Sequence, residues 1–482
     1  MFDQALARAR ELDDHIAKTG KAVGPLHGVP VSIKDHLFVK GEDTACGYVA
    51  WAGKRVAEED AVIVHILRAA GAIIYVKTTN PQALYGSPYF LFLIESVINS
   101  LAASDTFSNI YGRTTNPHNR KLAAGGSTGG EGALVGSRAS LLGVGTDSGG
   151  SIRTHIFKFN TRIPSAWCGL YGLKPSSHRL PALGLTMPYN GKEDILIVTG
   201  PMAHSVRDLQ LFCQVISEYE PWNLDPNTLS MPWNLSLAYR ESNDRLVIGM
   251  MSDDGIVSPH PPIVRRLQEV REALVAAGHE VIDWVPISQA EMTQLSSKFY
   301  LPDGGEDIRA PLKESGEPAV PLIERLLALG ESIGSSTLAE SWSNNIQRDR
   351  MRSRVLRHWN ETALLSKCGR PIDALLCPAT ATLAPPHDTE RWGGYGTYWN
   401  LLDLPAAVFP AGKSFDGSRW KSSEGLATAK PRNPIEELVA SQWSPDKYDG
   451  APIGLQLVGR RWQEEKLLAD LKVVDAVVNA CI

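Results

Sequence analysis

The chain has 482 residues, of which 43% are hydrophobic and 21% charged, and its formal net charge is −5. This is the balance of a globular chain with a large core, and without a basic stripe it argues against a nucleic-acid partner. The six cysteines, at 46, 168, 213, 368, 377 and 481, show no CxxC spacing. They therefore point to neither a zinc site nor a disulfide framework, and a reducing, cytoplasmic setting is expected.

Residues 2–18 have the pattern of a charged amphipathic helix that stops near Gly20. No apolar stretch of the kind found in a secretory signal follows Met1. The turn cluster Gly24-Pro25-Leu26-His27-Gly28 leads into a short strand, Val29–Ile33, which delivers Lys34 and Asp35 at its C-terminal end. Residues 59–70 have helical period and end at Gly71, and Ala72–Val76 reads as a buried strand. The longest apolar run, 89–98, contains Glu95. It falls short of the roughly 20 residues that span a bilayer. Further along, 131–139 reads as a helix and 141–144 as a strand. Ser205 opens a helix through Tyr219, 246–250 is a strand, and Pro261 or Pro262 opens a helix that Gly278 closes. A strand is expected at 281–285, a long helix from about 335 to 366, strands at 374–377 and 452–458, and a last helix from about Trp462. The tracts 386–398 and 414–450 read as surface excursions.

Alternation of strands and helices predicts an α/β fold. No repeat, low-complexity tract or linker divides the chain, so a single large domain, 1–482, is expected.

The densest chemistry lies between Ala123 and Ser151, where 29 residues hold ten glycines. Each glycine in a helix or strand interior costs about 0.5–1 kcal/mol relative to alanine, so such density marks backbone that turns sharply or approaches something closely. Ser151 follows Asp147-Ser148-Gly149-Gly150. Successive unshielded N–H groups form an anion nest, which acyl transfer needs at a developing oxyanion. Ser151 is therefore the candidate nucleophile. Gly125-Gly126-Ser127-Thr128-Gly129 matches the G-x-S-x-G elbow of α/β-hydrolases, but that motif demands a strand just before the serine, and Lys121–Ala124 is a poor one. Lys34 ends an apolar strand. A lysine desolvated there has a lowered pKa and can act as a base, and a Ser–Lys pair is a known substitute for Ser–His.

Taken together, GPLHGVPVSIKD, AAGGSTGGEGALVG, GVGTDSGGSIR and CGLYGLKPS resemble the amidase signature family, most closely its acetamidase-like, fungal-type branch. The likeness continues through DALLCPATATLAPPHD, YWNLLDLPAAVFPAG and APIGLQLVGRRWQEEKLL, so it covers nearly the whole chain. The resemblance implies a mixed, twisted β-sheet with helices on both faces, and hydrolysis of small carboxylic acid amides by a Ser–cis-Ser–Lys triad. Ser151 would attack, Ser127 would relay the proton, and Lys34 would be the base. The N–H groups of Ser148, Gly149, Gly150 and Ser151 would hold the oxyanion. Thr128, Asp147 and Arg153 would order the loop around them. No metal or organic cofactor is implied. The expected partner is a small amide, with no nucleic acid and no membrane span, and the oligomeric state stays open, a homodimer included.

Three features depart from the family pattern: a short helical region ahead of GPLHG, a long apolar stretch at 85–107, and residues 154–162 between GGSIR and IPSAWCG. Both internal stretches read as insertions. The second makes a catalytically impaired homologue an alternative reading. A glutaminase-type amidotransferase subunit is a further one, against which the C-terminal motifs argue.

Overall fold

The computed structural model describes residues 1–84, 105–147, 161–189, 191–241, 244–299, 301–420 and 430–481. The chain opens with α1 (Phe2–Thr19), β1 (Pro30–Lys34), α2 (Val62–Ala69) and β2 (Ile73–Thr78). A small hairpin, β3 (Phe107–Ser108) and β4 (Gly112–Arg113), precedes α3 (Gly129–Gly136) and β5 (Leu142–Asp147). Then come α4 (Arg162–Trp167), β6 (Tyr171–Lys174), β7 (Val198–Ala203) and α5 (Val206–Glu218). A second strand–helix–strand unit follows: β8 (Val247–Met250), α6 (Pro261–Ala276) and β9 (Glu280–Asp283). Helices α7 (Gln289–Lys298), α8 (Glu306–Ser315), α9 (Pro321–Ile333) and α10 (Leu338–Glu361) run on from it. The last part holds β10 (Ala374–Pro378), α11 (Gly394–Leu401), β11 (Ala406–Pro410), α12 (Pro434–Ser441), β12 (Gly454–Val458) and α13 (Glu464–Cys481).

Ten of the described strands form one sheet in the order β2-β1-β5-β7-β6-β11-β12-β10-β8-β9. Both ends are parallel: β1 pairs with β2 and β5, and β8 pairs with β9 and β10. The centre, from β5 through β7, β6, β11 and β12 to β10, is antiparallel. Strand β12 sits between β11 and β10 and is what joins the two ends. Helices α3 and α4 pack on each other and against the sheet, while α13 lies against α5 and α6 and against β11 and β12. The fold is thus the expected mixed sheet flanked by helices.

β1 shows how this sheet positions chemistry. Side chains alternate along a strand. Val31 and Ile33 enter the main hydrophobic core, while Ser32 and Lys34 share the opposite face. Ser32 Oγ donates to Glu131 Oε2 at 2.5 Å, which identifies that face as the one covered by α3. The glycines of α3 let the helix come this close. A Cβ on Gly130 would lie 2.5 Å from the backbone N and O of Thr79, and one on Gly143 of β5 would overlap the Glu131 carboxylate.

The structure corrects several sequence readings. Strands β6, β7 and β11 went unread because YGLK, VTGPMA and AAVFP carry glycine or proline, which weaken a strand signal. The helices between 289 and 333 also went unread. The tract 386–398 is no surface excursion: α11 begins within it, and Trp392, Tyr395 and Tyr398 are buried. The tract 414–450 contributes α12 and buries Trp443 and Tyr448, which stack at 5.7 Å beside His260. The long helix spans 338–361: a capping box between Thr337 and Glu340 sets its start, and a 3-10 turn over Thr362–Leu364 follows its end. The expected insertions lie outside the described residues over 85–104 and 154–160. Their described ends are core structure: Thr106 Oγ1 donates to Gly125 O at 2.8 Å, and Arg162 is buried.

Gly130→Ala is expected to destabilise the fold by about 2 kcal/mol, the usual cost of forcing atoms into a packed core. A urea melt checks this through a lower midpoint at unchanged slope.

Candidate active site

Lys34 is fully buried at the C-terminal end of β1. Its Nζ lies 2.8 Å from Ser127 Oγ and 3.1 Å from Thr146 Oγ1 of β5. Burial drives its pKa down to about 7, against the upward pull of Cys46, Asp147, Asp35 and Glu131. An amine in this state is half neutral near physiological pH and can accept a proton from a hydroxyl it touches.

Ser127 is fully buried and stands two residues ahead of α3, and the Gly126–Ser127 peptide is cis. Thr106 fixes this turn from both sides, donating to Gly125 O at 2.8 Å and accepting from Gly129 N at 3.2 Å. No strand precedes Ser127, and the base that meets it is a lysine. The hydrolase-elbow reading of GGSTG is therefore excluded. Thr128 Oγ1 donates to Thr146 O at 3.4 Å, which ties the turn to β5.

Asp147, the last residue of β5, is buried in a polar network. Burial would raise its pKa, but the charge and hydrogen bonding of Arg162, with Lys174 and Asn400, hold it below the usual carboxylate range. Arg162 Nε donates to Asp147 Oδ2 at 3.0 Å, and Asn400 Nδ2 donates to Oδ1 at 2.7 Å. Arg162 also reaches Asn400, Gly396 O and Gln456 Oε1. The network thus joins β5 and α4 to α11 and β12. Ser148, Gly149, Gly150, Ser151 and Arg153 lie outside the described residues. The chain that carries them leaves at Asp147 and returns at Thr161, and the Asp147–Arg162 pair binds these two ends together.

The sequence model of the Amidase family matches residues 1–468. The chain belongs to the amidase signature family. It is 40% identical over 474 residues to an acetamidase of Emericella nidulans, covering 97% of this chain and 80% of the relative. It is 38% identical over 483 residues to an acetamidase of Aspergillus oryzae, covering 98% and 82%. Among solved structures, a fatty acid amide hydrolase superposes with a TM-score of 0.86 at 33% identity, over 99% of this chain and 78% of that one. The chain is accordingly a hydrolase of amide bonds. No helix among the described residues is long and apolar enough to cross a membrane.

Against this family background, four residues at the site escaped the sequence reading. Thr146 and His36 lie beside Lys34, with His36 Nε2 2.9 Å from Thr146 Oγ1. Glu131 is a buried carboxyl whose pKa is raised to about 7 by burial, and it accepts from Ser32 and from Thr78 Oγ1 at 2.7 Å. A lone acid in a run of glycines was the signal for it. Arg162 stands beside Asp147. Its signal was its place directly before IPSAWCG.

Breaking a buried ion pair by removing one partner costs about 3–5 kcal/mol. Arg162→Met is therefore expected to lower stability by about that much, and amidase activity with it. Denaturant melts and activity assays of the variant check this.

Proposed function

We propose that this chain hydrolyses a small carboxylic acid amide to the acid and ammonia or amine through an acyl-enzyme on Ser151, with Ser127 as relay and Lys34 as base. The observation that carries the reading is the fully buried Lys34 amine, with a pKa near 7, 2.8 Å from Ser127 Oγ. Neutral Lys34 would take the Ser127 proton while Ser127 takes that of Ser151. The Ser151 oxygen would then attack the amide carbonyl. Four successive N–H groups, from Ser148 to Ser151, would receive the developing oxyanion. The proton held on Lys34 would return through Ser127 to the leaving nitrogen, and water would release the acid by the same path. Thr128, Asp147 and Arg153, with Arg162, would hold the loop in register for attack.

The short acyl chain follows the two acetamidase relatives. The free cysteines, with four of the six buried and none paired, support a reducing, cytoplasmic setting.

Ser151→Ala and Lys34→Ala are each expected to lower kcat by at least about 10⁴-fold, the scale of losing one member of a catalytic unit. Full turnover in either variant overturns the triad. A fluorophosphonate that fails to label Ser151 in the unaltered protein would favour the impaired-homologue reading. A panel of amides from acetamide to long-chain fatty amides reads the acyl preference.

Activity is also expected to show an acid limb. Below a pH of about 7, Lys34 is increasingly protonated, and kcat/KM falls about tenfold per pH unit. Glu131→Gln removes a negative charge that favours the ammonium form, so its limb is expected at lower pH. A limb that vanishes in this variant would assign the titration to Glu131 instead.

A further inference from the structure

Lys34 can serve as a base only if its lone pair faces Ser127. A neutral amine has two N–H donors and one lone pair. With the lone pair aimed at Ser127 Oγ, 2.8 Å away, an N–H is left for Thr146 Oγ1 at 3.1 Å. The weakness of this arrangement is the Thr146 hydroxyl, which can rotate. If it turned its own hydrogen toward Nζ, it would occupy the lone pair and compete with Ser127.

The tautomer of His36 in which Nε2 carries no hydrogen removes that option. The buried ring places Nε2 2.9 Å from Thr146 Oγ1. The backbone at and beside His36 is held by three hydrogen bonds. Thr186 N donates to His36 O, while the neighbouring Asp35 N and Leu37 N donate to Thr78 O and Lys34 O. With Nε2 as acceptor, the Thr146 hydrogen points to the imidazole and its oxygen is left to receive Lys34. The result is a one-way chain from Lys34 Nζ–H to Thr146 O–H to His36 Nε2. Each donor in such a chain makes the next oxygen a better acceptor. The charged or titratable groups acting on Lys34 from the surrounding elements are Cys46, Asp147, Asp35 and Glu131, and Lys77 acts on Asp35 in turn.

We propose that His36 is a positioning residue for the proton-transfer machinery, acting through Thr146 to keep the lone pair of Lys34 turned toward Ser127. The proposal rests on the reading of Lys34 as base and adds a residue to it.

His36→Leu removes the acceptor. Its kcat is expected to fall at least about tenfold, the worth of one well-placed hydrogen bond, with KM within about twofold. The acid limb of kcat/KM is expected to move to lower pH, because a Thr146 hydroxyl free to donate stabilises the neutral amine. His36→Gln, whose amide oxygen reaches the place of Nε2, is expected to restore most of kcat and the limb. His36→Asn, one methylene shorter, is not. If the Leu variant does not fold, the Gln and Asn pair decides. An unchanged kcat and limb in His36→Leu overturns the proposal, as does an equal loss in Gln and Asn with the limb unmoved. Lys34→Ala and Ser151→Ala are assayed alongside. If either keeps full activity, the triad reading and the proposal fall together. If both are inactive while the His36 variants behave as wild type, only the role of His36 falls.

Discussion

A lysine amine without access to water is the constraint that the rest of the site serves. Moving an ammonium out of water is costly, so burial favours the neutral form and draws Lys34 down to about 7. The surrounding hydroxyls must then satisfy the amine without adding charge. Ser127 and Thr146 do so directly, while Glu131 and Asp147 stay one layer away, each held by its own partners. A carboxylate in contact with Nζ would restore the charged form and end its use as a base at neutral pH.

This constraint explains the glycines. To cover Ser32 and Lys34, α3 must lie almost on the backbone of β2 and β5, and a side chain at Gly130 or Gly143 would hold it off. Within the glycine-rich stretch, these glycines serve close packing where α3 meets the sheet.

Much of this was legible in the sequence. The apolar run VPVSIK behind a Gly-Pro turn marked both the strand and Lys34 at its C-terminal end. The resemblance of the motifs to the family implied the meeting with Ser127, 93 residues on. What stayed hidden depends on distant partners. His36 has no pattern of its own and gains meaning only because β5 brings Thr146 alongside it. Arg162 stands directly before a family motif, and only its packing with Asp147, Asn400 and Gln456 gives it a role. Strand β7 reads as a broken run because Gly200 and Pro201 lie inside it, yet it pairs along its whole length with β5. The tract after Pro386 looked like a surface loop, but its aromatic residues are buried in the core.

The place of β12 also bears on how the chain is made. The strands before it can form a parallel unit at each end of the sheet, but β11 and β10 meet only through residues 454–458. On the ribosome, the two halves must wait for nearly the whole chain, each presenting an open strand edge in the meantime. Such edges invite wrong pairing with other nascent chains. In a chain built this way the facing edges of β11 and β10 are covered only once β12 has emerged to pair with both.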